Sequence, residues 1–241
     1  VKNPARGGGR WIEVAPERLV TWAESFARGH PGAAVTVTGR DFVTFGAADG
    51  ATAECHVPFP PLPAVDGEGT GGAAGADGAV AEAAERLARH AEAARTIGVL
   101  LVRLGGYAAG VFTGSPPQLA ASKVGSRLVH GRSAAGGQSQ QRFARRREKQ
   151  AAEATSAAAD TAAAVFGQYG KKLDAVVLGG DRRAIAGLQD DPRLARYFAL
   201  AADRFLTVPD PRLTVLRDTP RMFRAVRIRL TEPAADPAGG S

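Results

Sequence analysis

The sequence predicts a mixed α/β protein, in which a mixed sheet carries helices on its faces and is preceded by a small α+β module. Three observations predict it. Residues 97–104 form a nearly unbroken aliphatic run, the pattern of a central strand buried on both faces. Residues 139–166 hold neither proline nor glycine and are rich in alanine, which favours one long helix. Before Pro58, one helical pattern is followed by three short strand-like runs separated by turn residues.

Residues 1–9 are polar and glycine-rich and are expected to be loose. Residues 11–14 read as a short strand, and Pro16 suits a helix's first turn. Leu19, Val20, Ala23, Phe26 and Ala27 then recur on one helical face until Gly29. Residues 35–38, 42–45 and 52–57 follow as strands, with Gly39-Arg40-Asp41 and Asp49-Gly50 marking turns. Fewer than about fifty residues make a marginal core, so the module at 10–57 is expected to pack on a neighbour or a partner. Residues 58–78 change to proline, then to glycine, alanine and acid, and read as a flexible linker.

The second domain is expected over 79–231. Val80, Ala84, Leu87, Ala88, Ala91 and Ala94 outline a helix that leads into the aliphatic strand. Gly105-Gly106 turns the chain, 107–113 returns as a hairpin partner, and a third strand is expected between Lys123 and His130. On the long helix, Phe143, Ala151, Ala154, Ala158, Ala162, Val165 and Tyr169 outline a seam of mostly small residues. Residues 173–178 read as another buried strand, after which Asp181 caps a helix through Leu188. Residues 192–202 are expected to be helical and 205–208 a strand. Met222, Val226, Ile228 and Leu230, alternating with Arg227 and Arg229, are expected to form the last strand of this sheet. Residues 232–241 are expected to be a disordered tail.

The 241 residues, 44% of them hydrophobic, suffice for one full core and a small second module. The net charge of +7 is localised: residues 120–150 hold eight cations and one anion, while the remainder balances at 23 of each sign. Such a segment is the footprint expected of a protein that neutralises phosphates. A single cysteine, Cys55, excludes a disulfide framework and a cysteine-based zinc site and reads as a core residue on a strand. No run approaches the roughly 20 apolar residues of a membrane span. No signal peptide is visible, and a cytoplasmic location is expected.

Inside the basic segment lies Gly136-Gly137-Gln138, in front of an arginine-studded helix start. Adjacent glycines admit positive φ and let another molecule approach without a Cβ in the way. The glutamine that follows offers a side-chain amide that donates and accepts, and a backbone N–H for a developing oxyanion. Glutamine is no general base. The tip therefore suits positioning a water, with proton transfer left to the substrate or another macromolecule. At roughly 3.3 Å per residue, residues 131–138 are long enough to carry the glutamine on the order of 10 Å from the body.

His130-Gly131-Arg132, Gly136-Gly137-Gln138-Ser139, Arg142-Phe143-Ala144-Arg145, Arg147 and Glu148-Lys149 together resemble the middle domain of eukaryotic and archaeal class I peptide-release factors. That resemblance implies an RNase H-like mixed sheet over about 97–231. Ser133-Ala134-Ala135 is inserted before the glycines, and nothing resembles that family's codon-reading or GTPase-binding domains. The remaining architecture is more similar to the Vms-like release factors of ribosome quality control, which often carry serine where this chain has Gly137. The alanine- and arginine-rich composition points to an actinobacterial member. By position, the resemblance implies that Gln138 acts at the peptidyl-tRNA ester in the peptidyl transferase centre of the large ribosomal subunit, with Gly136 and Gly137 allowing its approach. His130, Arg132, Arg142, Arg145, Arg146, Arg147 and Lys149 are then the contacts to ribosomal RNA or tRNA. No cofactor and no metal are implied.

Two other readings stay open. Vms-like relatives also sever tRNA near its 3′ CCA end, and no residue decides between ester and phosphodiester cleavage. A non-catalytic RNA-binding module explains the arginines but gives no reason for Gly-Gly-Gln. A metal nuclease would want carboxylates at the sheet centre, and residues 97–104 and 107–113 have none.

Overall fold

The computed structural model of the protein describes residues 3–4, 9–64, 76–103, 105–126 and 139–232. In chain order the elements are β1 (Asn3–Pro4), β2 (Arg10–Val14), α1 (Leu19–Gly29), β3 (Ala34–Thr38), β4 (Phe42–Gly46), β5 (Thr52–His56), α2 (Ala76–Glu92), β6 (Ile97–Arg103), β7 (Gly106–Thr113) and β8 (Gln118–Ser126). There follow α3 (Ser139–Gly167), β9 (Ala175–Gly180), α4 (Arg182–Ala186), α5 (Ala195–Phe198), β10 (Ala201–Leu206), α6 (Leu213–Arg224) and β11 (Val226–Thr231). The mixed α/β character expected from the sequence holds. The chain divides into two compact units, one of Val1–Ala93 with Arg224–Ser241, the other of Ala94–Phe223.

The first unit is an antiparallel sheet in the order β1-β2-β11-β5-β4-β3. One face is apolar: Val14, Val43, Phe45, Ala53, Cys55, Ile228 and Leu230 pack with Leu19, Ala23 and Phe26 of α1 and Val80, Ala84 and Leu87 of α2. The helical face read from the sequence is therefore the one buried. Burial pushes the Cys55 thiol far above its usual range, so it is a core side chain rather than a nucleophile.

The strand at 226–231 corrects an expectation. It was expected in the C-terminal sheet, but β11 lies between β2 and β5, pairing Val226 with Val14 and Arg227 with His56. Its alternation is the physical reason: Val226, Ile228 and Leu230 are buried while Arg227 is exposed, which suits a sheet covered on one side only. With β11 and α2 added, the small module gains a full core. The start of the expected linker is also held, because Leu62 is buried, its N–H donates to Arg40 O at 2.7 Å, and the His90 ring donates to the carbonyls of Pro58 and Phe59.

The second unit is a mixed sheet in the order β10-β9-β6-β7-β8. β6, β9 and β10 run parallel, while β7 and β8 are antiparallel to their neighbours. The aliphatic run Ile97–Val102 is buried throughout, as expected of a central strand. Helix α3 lies on the face carrying Gly98, Leu100 and Val111. The opposite face takes α6, where Leu216 fills the space over Gly110 and Phe223 meets Phe112 edge-on at 5.9 Å. The third strand spans Gln118–Ser126 instead of 123–130, because it pairs closely back on β7 through a four-residue turn. The helix expected over 192–202 shortens to the single turn of α5, and β10 starts at Ala201. Met222 lies in α6, a helix the sequence reading did not foresee. Of the tail expected at 232–241, Glu232 accepts from Arg10 at 3.0 Å, while residues 233–241, like residues 65–75 of the expected linker, lie outside the described residues.

Candidate functional site

Before the tip the described residues end at Ser126, the last residue of edge strand β8, and they resume at Ser139, the first residue of α3 and the one after Gln138. Gly136, Gly137, Gln138, His130 and Arg132 lie between these points, outside the described residues. Arg142, Arg145, Arg146, Arg147 and Lys149 fall within the first turns of α3, and their side chains likewise lie outside the description. What the structure describes is the mounting of this segment.

Both anchor points are built on glycine. Tyr107 of β7 pairs with Gly125 of β8, and a Cβ at 125 would stand 2.5 Å from the tyrosine oxygen. The bare glycine lets the nearly buried Tyr107 ring lie across β8 one residue before the strand ends. At the other end of α3, Phe166 packs over Gly98 of β6, where a Cβ would come within 3.1 Å of its ring. Between them, Ala154, Ala158, Ala159, Ala162 and Val165 are buried, so four of the seven residues of the expected seam are core. Small side chains let the helix axis approach the sheet closely. Tyr169 is partly buried against the same cluster, whereas Phe143 and Ala151 are outside the description.

A helix of 29 residues is roughly 43 Å long, and the buried side chains described on α3 all fall between 154 and 166. On the solvent side of that anchored half, Asp160 accepts from Arg193 at 2.7 Å, and Asp191 holds the same guanidinium from its other edge. These bonds hold the Asp191 carboxyl below the usual carboxylate range. Such exposed pairs orient more than they stabilise.

Other residues whose chemistry could serve a site have structural roles. Asp181 is the N-cap of α4 and accepts from the N–H groups of Arg183 and Ala184 at 2.7 and 3.2 Å. Its carboxylate thus occupies the amides that a phosphate would need. Gly180 has φ +99°, and a Cβ there would collide with the Val102 carbonyl oxygen, so the Gly179-Gly180 pair serves the strand-to-helix corner. Asp174 accepts from the Thr96 N–H at 2.7 Å. Among the described residues no group of three or more His, Cys, Asp or Glu side chains is placed to hold a metal. His30 bonds Asp49 and His56 bonds Glu54, at 2.8 and 2.7 Å.

Charge divides unequally between the units. Residues 94–223 carry 20 Lys and Arg against 10 Asp and Glu, a balance of +10, while the rest of the chain carries 11 against 14, or −3. The unit that mounts the glycine tip is therefore strongly basic and the other is mildly acidic. Among the described residues no helix is long and apolar enough to cross a membrane.

The family model described as Actinobacteria/chloroflexi VLRF1 release factor matches residues 95–229, more than half of the chain and inclusive of the whole tip. A search of curated proteins returned no match. Among solved structures, an archaeal translation termination factor, aRF1, is similar at 13% identity and a TM-score of 0.41 over 89% of this chain, which spans 66% of that factor's length. The Vms1 mitochondrial localization core is similar at 9% identity and a TM-score of 0.37, over 90% of this chain and 82% of that one. A further archaeal protein gives 13% identity and 0.32, over 87% and 62%.

Proposed function

Because the chain belongs to the Actinobacteria/chloroflexi VLRF1 release factor family, we propose that it frees nascent chains from tRNA on the ribosome by hydrolysing the peptidyl-tRNA ester, without reading a codon. The observation that carries this reading is that the matched span, 95–229, contains the complete Gly136-Gly137-Gln138 tip together with the arginine cluster behind it. The partners are the large ribosomal subunit, its RNA and peptidyl-tRNA, and the setting is ribosome rescue or quality control.

In this reading the tip enters the peptidyl transferase centre. Gly136 and Gly137 let the backbone come close to the ester, and the Gln138 N–H faces the carbonyl oxygen as it takes on charge. The Gln138 amide orients a water, whose oxygen bonds to the carbonyl carbon as the ester C–O bond breaks. The water's proton passes to the tRNA ribose oxygen, because glutamine accepts none. His130, Arg132, Arg142, Arg145, Arg146, Arg147 and Lys149 hold the RNA backbone by charge-assisted bonds. Support for this division of labour comes from α3: its far half is fixed to the sheet through Phe166, Ala158 and Ala162, which gives the tip a stiff base.

The test is a release assay on large subunits carrying peptidyl-tRNA, comparing wild type with Gln138→Ala and mapping the tRNA 3′ end. Wild type is expected to release peptide and leave an intact CCA end. The Gln138→Ala variant is expected to lose release by roughly a hundredfold or more while keeping association, as removal of an oxyanion-side donor does elsewhere. A shortened tRNA would reassign the activity to a tRNA 3′-CCA endonuclease. Equal loss of binding in the variant would overturn the catalytic role of Gln138.

A further inference from the structure

The first unit has a second face, opposite α1 and α2, whose chemistry the release reading does not use. Strand registers set its side chains in rows. One row runs Phe42, His56, Arg227, Glu13, and the next runs Thr44, Glu54, Arg229, Trp11. Within them the Arg227 guanidinium lies over the Trp11 ring at 4.6 Å, and the His56 ring meets Trp11 edge-on at 5.0 Å. Glu54 fixes the His56 ring through a 2.7 Å bond, and these two side chains are 32% and 42% exposed. Arg227 is exposed, while Trp11, Phe42 and Arg229 are half-buried. The inward residues of the same strands, among them Val14, Val43, Cys55 and Ile228, belong to the core that holds α1 and α2.

Three aromatic rings interleaved with two arginines on an open sheet make an expensive surface to leave facing water. Burial elsewhere does not require it, since a solvated sheet face needs only threonines and mixed charge. We infer that this face binds single-stranded RNA, with bases stacking on His56, Phe42 and the Arg227–Trp11 pair and the phosphates meeting Arg227 and Arg229. Stacking on rings and guanidinium planes is how sheets take unpaired bases, and Glu13 and Glu54 supply acceptors for base amino groups. A duplex keeps its bases stacked internally and offers this face little. An acidic peptide is the weaker fit, because the two carboxylates in the rows would oppose it. The −3 balance of this unit makes stacking, rather than bulk charge, the source of affinity. With two arginines on phosphates, log K is expected to fall with log salt at a slope of only about −1.4.

The chain has two tryptophans, Trp11 and Trp22, and Trp22 packs with the helices, so Trp22→Phe leaves Trp11 as a local reporter. The full chain with Trp22→Phe is titrated with a single-stranded RNA octamer and with its duplex. Saturable quenching by the single strand, weakened about fivefold or more by His56→Ala and by Arg227→Ala, is expected. It should persist when Arg145, Arg146 and Arg147 are changed to alanine, and in Gln138→Ala, so its fate is separate from that of the release reading. Quenching that is equal for the duplex, absent, or indifferent to both substitutions in variants that melt like wild type would overturn the proposal. So would quenching by a polyglutamate peptide and not by RNA, which would assign the face to an acidic protein segment.

Discussion

Pro220 occupies the interior of α6, where its nitrogen has no hydrogen to give to the carbonyl of Leu216 four residues earlier. The preceding side chain supplies what is missing: Thr219 Oγ1 donates to Leu216 O at 2.7 Å, and both residues are fully buried. Replacing Thr219 by valine keeps the shape and leaves that carbonyl without its donor, so a loss of about 1–3 kcal/mol is expected in urea unfolding. A change below 0.5 kcal/mol would show that the hydroxyl is not the partner that matters. The sequence reading placed Met222 on the final strand and gave no helix here, although Leu216, Thr219 and Phe223 recur at helical spacing. Asp181 and Cys55 were legible because a cap and a buried strand residue are decided locally. Asp49 is a residue of the opposite kind, defined by contacts the sequence does not announce. The His30 ring and the Ala51 N–H both donate to it and hold its carboxyl below the ordinary 3.8. Its folded pKa is thus depressed, so its contribution is present above pH 3.8 and is lost as pH falls through the folded value. Melting temperatures of wild type and Asp49→Asn, separated at pH 6, are expected to converge below that point.

At the scale of elements, the strands were easier to recognise than to place. The alternation in β11 marked a sheet with one wet face, and β5 beside it and β4 beyond show the same alternation. The C-terminal sheet, by contrast, is buried on both sides at β6, β7 and β9. Matching the pattern, rather than the position in the chain, would have assigned β11 correctly. For α3, the alanine seam was readable because 3.6-residue spacing fixes a face, but the partner of that face was not. Glycines Gly98 and Gly125 receive Phe166 and Tyr107, and a glycine's role as a receiving surface appears only when the strands are side by side. The corner at Gly180 is the most exacting of these positions, with φ +99° and the Val102 carbonyl against the missing Cβ. Gly180→Ala combines backbone strain with a steric clash, so a loss of about 2–4 kcal/mol is expected, with β9 and α4 losing hydrogen-exchange protection. Gly170→Ala is the control, since its φ is also positive, at +50°, but its surroundings are open. If the two variants were equally destabilised, the close contact at the β9 corner would carry no weight.

For the whole molecule, the sequence located the charge but not its partition. Residues 120–150 were readable as the source of the +7, yet the balanced remainder conceals a −3 unit and a surplus of cations on the other. That partition appears once the unit boundary is known: residues 1–93 carry 8 Lys and Arg against 12 Asp and Glu, and the return of β11 with residues 224–241 adds three cations and two anions, lessening the deficit by one. The partition also separates two modes of RNA contact by their response to salt. Attraction to ribosomal RNA through the start of α3 rests on phosphate neutralisation and should be steep in salt, whereas contact through the face of Trp11 and Arg227 rests on stacking and should be shallow. Replacing Arg145 and Arg146 by alanine removes two phosphate contacts, and the slope of log K against log salt for ribosome association is expected to flatten by roughly 1.4 units. His56→Ala should leave that slope unchanged, because the ring carries stacking and no phosphate charge. Association measured by pelleting between low and high salt separates the cases: an unchanged slope in the double arginine variant would mean that the basic start of α3 does not face RNA, and the charge concentrated there would need another partner.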